Sequence, residues 1–141
     1  MITVLIGFNQ YIQDNIIDLD NRAVIYKRGV TAVSSAPYFE IVPISTDQLN
    51  DLTCIRDNAT IILVRCTSTE QYEAFKMADD LVAILDETAV ISRLDKTKTD
   101  KGTMKVQNIR REVLPELEET NLYTVGLFIT LRWSETIDEG D

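Results

Sequence analysis

The residues most able to do chemistry are four glutamates near the end of the chain, Glu112, Glu116, Glu118 and Glu119. Two carboxylates that converge in a cleft can act as general acid and base when their pKa values are driven apart. These four instead fall on a predicted strand and the turn after it, a position that is usually solvated. The pattern therefore favours a charged surface over a catalytic pair.

The other reactive residue types give no catalytic set. The chain has no histidine, which excludes Ser-His-Asp and Cys-His chemistry and removes the commonest metal ligand. Cys54 and Cys66 have no other ligand type beside them, so zinc is not expected, and two reduced, packed thiols are favoured over one disulfide. Asp79 and Asp80 lie on the polar face of a predicted helix. The glycines are scattered, and none forms a phosphate-binding loop. We therefore predict no enzyme activity, cofactor or metal.

Charge bears on the class of partner. The formal net charge is −9, from 23 acidic and 14 basic side chains. A nucleic-acid-binding surface needs clustered Lys and Arg, so this balance argues against one. One basic segment, residues 95–105, is predicted to be a flexible loop that could become ordered against a neighbouring subunit. No apolar run approaches the ~20 residues needed to cross a bilayer, and the N-terminus lacks signal-peptide features, so we expect a soluble protein.

The elements that would position these residues are organised around residues 121–133, N-L-Y-T-V-G-L-F-I-T-L-R-W. The strict alternation predicts a long central strand, since successive side chains of a strand point to opposite faces. The strand has one apolar face. Its opposite face carries mixed side chains and is expected to meet water or a neighbouring chain. On this mixed face, Gly126 marks either a local bulge or twist, or the close approach of that chain. The apolar face consists of Tyr123, Val125, Leu127, Ile129, Leu131 and Trp133.

Two amphipathic helices are predicted to cover the sheet. Residues 2–19 place apolar side chains at steps of three and four, although the first residues also alternate as a strand would. The second helix begins near a capping box, formed by Ser68 with Gln71 or by Thr67 with Glu70. Its apolar stripe consists of Tyr72, Phe75, Ala78, Val82 and Leu85, widened by Ala74 and Leu81.

The remaining strands define the fold class. Pro43 is expected to mark a sheet edge or a strand end, because proline cannot donate to a ladder. Asp57 and Asn58 are expected to form a turn. The element order predicts an α+β fold in which an antiparallel sheet packs against two helices, with one parallel pair allowed by the helical crossover after the third strand. Residues 1–133 are predicted to form a single domain and residues 134–141 an acidic C-terminal tail. The four further strands are predicted at 23–27, 38–44, 59–66 and 106–114.

The order, length and character of these elements resemble the tail terminator proteins of long-tailed bacteriophages, also called tail completion or tail-to-head joining proteins. The resemblance covers residues 1–133 and contains no invariant motif. It is carried by P-Y-F-E-I-V-P-I, by A-T-I-I-L-V-R-C-T-S, by the helix E-Q-Y-E-A-F-K-M-A-D-D-L-V-A-I-L-D and by the closing strand.

This resemblance implies a structural virion protein of the tail or neck, made in the host cytoplasm. Such proteins form a six-membered ring on the head-proximal end of the tail tube. The ring ends tube polymerisation, binds the tail tube protein and the head connector, and lets DNA pass without sequence-specific binding. The resemblance implies no catalytic residue, cofactor or membrane contact. Another neck or minor capsid connector protein and a monomeric α+β binding module are the alternatives.

A ring also implies surfaces with assigned roles, because each copy must present two different surfaces to its two neighbours. The basic loop is expected to meet an acidic surface of a neighbouring copy or of the connector, and glutamates are expected to line the hole and keep DNA sliding. The interface candidates are Lys96, Lys98, Lys101, Leu122, Phe128 and Thr130. The lumen candidates are Glu116, Glu118 and Glu119.

Overall fold

The computed structural model describes residues 2–15, 24–27, 38–51, 55–85, 90–117 and 122–136. These residues form one sheet in the strand order β1-β2-β3-β6-β5-β4. β1 pairs parallel to β2, and every other described pair is antiparallel, which confirms an α+β fold with a mixed sheet. The elements are α1 (Ile2–Asn15), β1 (Val24–Lys27), β2 (Tyr38–Asp51), β3 (Ile55–Ser68), α2 (Gln71–Ile84), β4 (Val90–Leu94), β5 (Asp100–Leu117) and β6 (Leu122–Thr136).

Strand β6 is the centre of the sheet, as the alternation of residues 121–133 predicts. β3 pairs with one of its edges and β5 with the other. Its apolar side chains from Val125 to Trp133 are buried on the face that carries the helices, and α2 packs on β3 and β6. Burying one large apolar side chain contributes about 1.5–3 kcal/mol relative to leaving it exposed, so this face of β6 supplies much of the core.

Helix α1 confirms the helical interpretation of the first residues. It buries Val4, Phe8 and Ile12, which are spaced four apart and so lie on one face. The predicted continuation to residue 19 and the stop at residues 20–21 lie outside the described ranges. Gly7 is where α1 meets β4, since a Cβ added there would lie 2.0 Å from the Ser92 carbonyl oxygen. Neither described helix is long and apolar enough to cross a membrane.

The close contact at Gly7 predicts a loss of stability on substitution. Gly7→Ala should lower the free energy of unfolding by roughly 1–3 kcal/mol, the usual cost of overpacking, although alanine is the better helix former. Urea denaturation followed by circular dichroism would measure this change. Gln13→Ala, on the exposed side of the same helix, is the control and should change stability by less than about 0.5 kcal/mol. A Gly7→Ala variant as stable as the wild type would contradict the close approach of α1 to β4.

Helix α2 is confirmed, but its buried face is rotated from the predicted stripe. Tyr72 is 79% exposed, whereas Met77, which the stripe omits, is buried. The predicted capping box is wrong, because β3 continues through Ser68 and the helix begins only at Gln71. The N-cap residue Glu70 makes no side-chain cap bond, and its N–H donates to the Ser68 hydroxyl. The residues that α2 buries are Ala74, Met77, Ala78 and Leu81.

Strands β2 and β3 are antiparallel neighbours, and each is longer than the strand predicted for it. Pro43 does not mark a strand end, because it lies inside β2. It does lie at a sheet edge among the described residues, because Ile41 is the last residue of β2 that pairs with β1. The register with β3 shifts between Pro43 and Ser45, and such a bulge tolerates a residue without an N–H. The predicted turn at Asp57 and Asn58 is also wrong, because both residues lie within β3 and pair with β2.

An ordered hairpin loop at 95–99 and the first residues of β5 stand where a flexible loop was predicted at 95–105, and β4 precedes them. β4 alternates between exposed and buried residues and pairs with residues 100–105 of β5. Five residues are too few for periodicity to identify a strand, and the exposed lysines of β5 conceal its buried alternate positions. The crossover through α2 leads to this edge strand, so the parallel pair is β1 with β2 and not a pair after the third strand.

The C-terminal boundary also differs from the prediction. Residues 134–136 belong to β6 rather than to an acidic tail, because they continue its pairing with β3. The rest of the predicted tail, residues 137–141, lies outside the described ranges.

Candidate functional site

One long sheet edge has no partner strand among the described residues. β4 pairs with β5 from Asp100 to Lys105 only, whereas β5 pairs with β6 as far as Leu117. The outer edge of residues 106–117 is therefore unpaired within the described part of the chain, and we call it the free β5 edge. A row of unpaired backbone N–H and C=O groups is a template for the addition of another strand.

The free β5 edge combines an exposed apolar side chain with charged ones, and the register of β5 with β6 shifts near both of its ends. Val113 is 55% exposed. The Arg110 guanidinium lies 4.7 Å from the centroid of the Phe128 ring and 3.8 Å from the Glu112 carboxylate, so the charges on this face are locally balanced. Lysine, a common protection of edge strands, is absent from residues 106–117, and the one proline, Pro115, lies near the far end.

An ion pair ties the free β5 edge to helix α2. Nη2 of Arg111 donates to Oδ1 of Asp79 at 2.6 Å. Both side chains are substantially exposed, so the pair contributes at most about 1 kcal/mol to stability. Asp79 is thus a surface partner of β5 rather than a catalytic carboxylate, and the neighbouring Asp80 is exposed.

The sheet face opposite the helices is less open than the sequence predicts. Leu122 is only 5% exposed and pairs with Leu117 where β5 and β6 join, so it is not an accessible contact residue in the single chain. Phe128 and Thr130 are half-buried. Gly126 is buried, and the register runs through it without a shift on either side, so the bulge interpretation is wrong. Its second interpretation, close approach by a neighbouring chain, stays a prediction.

The lysine-bearing segment is an ordered hairpin loop and not a flexible one. Oδ1 of Asp95 accepts hydrogen bonds from the Thr97 N–H at 3.0 Å, from the Thr97 hydroxyl at 2.7 Å and from the Thr99 N–H at 2.9 Å. The Asp95 N–H donates to the Thr99 carbonyl, and the Lys98 N–H donates to the Asp95 carbonyl. Lys98 has a φ of 65°, a left-handed conformation that closes the turn.

The Asp95 contacts predict how the stability of the loop depends on pH. Hydrogen bonds from the Thr97 hydroxyl and from the Thr99 N–H hold the pKa of Asp95 below its ordinary value of 3.8. A carboxyl whose pKa is lower in the folded state adds stability above its unfolded pKa and loses it as pH falls through the folded pKa. Asp95→Asn should therefore be less stable than the wild type at neutral pH, and the difference should close below about pH 4.

Thermal unfolding of both proteins at several pH values would check this expectation. Asparagine keeps an acceptor oxygen, so the comparison isolates the charge. Asp80→Asn is the matched control, because Asp80 is exposed on α2 and makes no such set of contacts. A difference for Asp95→Asn that does not change with pH would contradict the role of the carboxylate.

The hairpin loop brings the three predicted contact lysines to one end of the molecule. Lys96, Lys98 and Lys101 are all exposed, and Nζ of Lys101 lies 3.7 Å from the Asp95 carboxylate. Their contact with an acidic neighbour stays a prediction. Lys96 also stands at a mostly apolar cavity of about 460 Å³, between helix α1 and strand β2, which is lined by Ile2, Leu5, Ile6, Asn9, Ile41 and Pro43.

The residues first considered for chemistry do not form a reactive site in the described structure. Glu112 is exposed beside Arg110, and Glu116 lies in β5. Burial raises the pKa of the free Cys66 thiol, which makes it a poor nucleophile. The described ranges contain no group of three or more His, Cys, Asp or Glu residues that could hold a metal. Cys54, Glu118 and Glu119 lie outside the described ranges.

One unusual residue, Arg93 of β4, is not among the candidates that the sequence predicts. It is only 6% exposed, and its guanidinium carbon lies 4.5 Å from the centroid of the Trp133 ring. Nη2 of Arg93 donates to the carbonyl oxygens of Lys101 at 2.8 Å and Ser134 at 3.1 Å. Alternation within V-I-S-R-L places Arg93 on the buried face with Ile91, but this signal is available only once the strand is known.

Sequence comparison does not add a family to these observations. No model of a known protein family matches the chain, and no curated protein matches it. The features of the chain that bear on function are therefore structural ones: the free β5 edge, the lysine-bearing hairpin loop and the surroundings of Arg93.

Proposed function

We propose that this protein is a structural subunit that assembles with copies of itself into a ring at the head-proximal end of a phage tail tube. The observation that carries the proposal is the free β5 edge, a long strand edge that has no partner among the described residues and has the exposed Val113 near its centre. In an isolated protein such an edge promotes aggregation. A protein that pairs this edge with a defined neighbour removes the hazard and gains a specific contact.

Ring assembly needs two different surfaces on each copy, because heterologous contacts close a ring. The sheet offers two different sides. The free β5 edge lies on one side, and β1 lies at the other end of the strand order, where its outer edge has no described partner. Contact between the β1 side of one copy and the free β5 edge of the next would continue the sheet around the ring.

The other roles in this proposal come from the resemblance to tail terminators. A hexameric ring would end tube polymerisation, contact the tail tube protein and the head connector, and let DNA pass through its hole. The net charge of −9 supports passage without binding, because an acidic surface repels phosphates. No catalytic role is part of the proposal, and Glu112 and Asp79 are engaged in exposed ion pairs with Arg110 and Arg111.

Electron microscopy of particles from a deletion mutant tests the proposal. Loss of a terminator should give tubes longer than normal that carry no heads. Tubes of normal length without heads would indicate another neck or connector protein. A chain that stays at 16.0 kDa in sedimentation experiments, together with normal particles in the mutant, would indicate a monomeric binding module.

A further inference from the structure

A second cavity, of about 660 Å³, opens where β4, β5 and β6 meet the start of α1, and we call it the Arg93 cavity. Arg93 and Lys101 supply positive charge to its wall, and Glu135 supplies negative charge. Ile2, which is 55% exposed, lies at the same cavity. Neither packing of the hydrophobic core nor pairing along the free β5 edge explains why these charged residues and Ile2 line one cavity.

The structure holds the Arg93 guanidinium in one position. Both hydrogen bonds that it makes in the described part of the chain use Nη2, and the Trp133 ring stacks against it. Gly102 has a φ of 121°, and a Cβ there would lie 2.4 Å from Nη2, so only glycine leaves room for the guanidinium. Such a fixed cation suits ligand binding, because little conformational entropy remains to be lost.

Arg93 has no direct ion-pair partner among the described residues, although Glu135 and Asp100 act on it from farther away. The Nε–H group is buried and has no acceptor among the residues that the structure describes. Burial lowers the pKa of Arg93, whereas Glu135 and Asp100 raise it, so desolvation outweighs the two carboxylates. A buried charge normally has a direct counter-charge, which indicates that an anion completes this site.

We propose that the Arg93 cavity binds a carboxylate, and that the carboxylate is an acidic side chain of a neighbouring copy of this chain. The planar guanidinium matches a carboxylate in shape and charge. Lys101, which lines the same cavity, carries a second positive charge beside its 3.7 Å contact with Asp95. The exposed Ile2 offers an apolar contact for the aliphatic stem of the incoming side chain. A chain with 23 acidic residues supplies many candidates.

The position of the Arg93 cavity supports the neighbouring copy as the source. Lys101 and Gly102 begin the same strand whose later residues form the free β5 edge. A copy that pairs with that edge would lie beside the cavity, so this part of the inference rests on the proposed function. The carboxylate site itself does not, because it follows from the surroundings of Arg93.

Trp133 gives a direct measurement of carboxylate binding, since it is the only tryptophan in the chain and stacks on Arg93. Glutarate is the probe, titrated into the full chain at an ionic strength held constant with sodium chloride. We expect a saturable change in tryptophan emission with a Kd on the order of 10 mM, as suits one ion pair. If glutarate causes no saturable change in the tryptophan emission of the wild-type chain, the proposed carboxylate site is wrong.

Three charge variants are expected to change the affinity for glutarate in different directions. Glu135→Gln removes the competing carboxylate and should tighten glutarate binding about 3–10-fold, whereas Lys101→Glu should weaken it by a similar factor. Lys105→Glu makes the same charge change as Lys101→Glu, but Lys105 lies on the opposite sheet face and should leave binding unchanged. Equal effects of Lys101→Glu and Lys105→Glu would overturn the site.

Sedimentation velocity of the same variants tests the source of the carboxylate. If a neighbouring copy supplies it, Lys101→Glu should weaken self-association, Glu135→Gln should strengthen it, and Lys105→Glu should leave it unchanged. Glutarate binding without these effects, or a wild-type chain that stays monomeric at every concentration, overturns the neighbouring copy as the source. Variants of the free β5 edge should lose assembly but keep glutarate binding, which separates failure of this inference from failure of the proposed function.

Discussion

Proline at one of two adjacent positions in the free β5 edge, Glu112→Pro or Val113→Pro, should abolish assembly and leave the single chain folded. Successive residues of an antiparallel strand direct their N–H groups to opposite edges. One of these two N–H groups therefore faces β6, and the other faces the unpaired side. Because proline has no N–H, one variant removes a bond of the β6 ladder and the other removes a donor needed by an added strand.

The two proline variants should consequently differ in how much stability they lose. The variant that breaks the β6 ladder should lower the free energy of unfolding by about 3 kcal/mol. The other should stay within about 1 kcal/mol of the wild type, because proline is tolerated on a strand edge that faces solvent, and yet fail to assemble. Urea denaturation measures stability, and light scattering with electron microscopy measures assembly.

Alanine at the same two positions is the control for the lost side chains. Glu112→Ala and Val113→Ala keep both N–H groups and should still assemble, since the exposed Arg110–Glu112 pair contributes little. If both proline variants fold and assemble like the wild type, the free β5 edge is not the contact surface. The ring would then have to form through the lysine-bearing hairpin loop or through the sheet face opposite the helices.

The central part of the fold could be predicted from the sequence, because its signals are long and local. Thirteen alternating residues define β6, and a run that is apolar on both faces identifies β3 as an inner strand. The two helices follow from their apolar spacing. These features depend only on the periodic spacing of apolar side chains along one segment.

The candidate surfaces could not be predicted, because they depend on contacts between distant segments. The free β5 edge exists because β4 has five residues and β5 has 18, a mismatch that neither segment reveals alone. Arg93 is buried because its guanidinium meets the Lys101 and Ser134 carbonyls and the Trp133 ring, which lie in two other strands. The rotated face of α2 has a similar cause, since the sheet selects Met77 over Tyr72 for burial.

Trp133→Ala should cause the largest loss of stability among the substitutions considered, because three interactions meet at this side chain. The indole is 8% exposed, and its Nε1–H donates to the buried Thr60 hydroxyl at 2.9 Å. Its ring also stacks against Arg93. Truncating a buried tryptophan costs about 3–5 kcal/mol, and loss of the cation–π contact adds about 0.5–1 kcal/mol. We expect the free energy of unfolding to fall by roughly 4 kcal/mol or more.

Trp133→Phe separates these contributions, because phenylalanine keeps an aromatic ring beneath Arg93 but cannot donate to Thr60. It should cost about 1–2 kcal/mol, part of which Thr60 recovers through its other hydroxyl partner, Thr46, at 3.0 Å. Tyr72→Ala removes an exposed aromatic side chain and should change stability by less than about 0.5 kcal/mol. Urea denaturation followed by circular dichroism suits all three variants, since two of them lack the tryptophan. Equal losses for Trp133→Ala and Trp133→Phe would mean that the hydrogen bond to Thr60, rather than ring burial and the Arg93 contact, stabilises this end of the sheet.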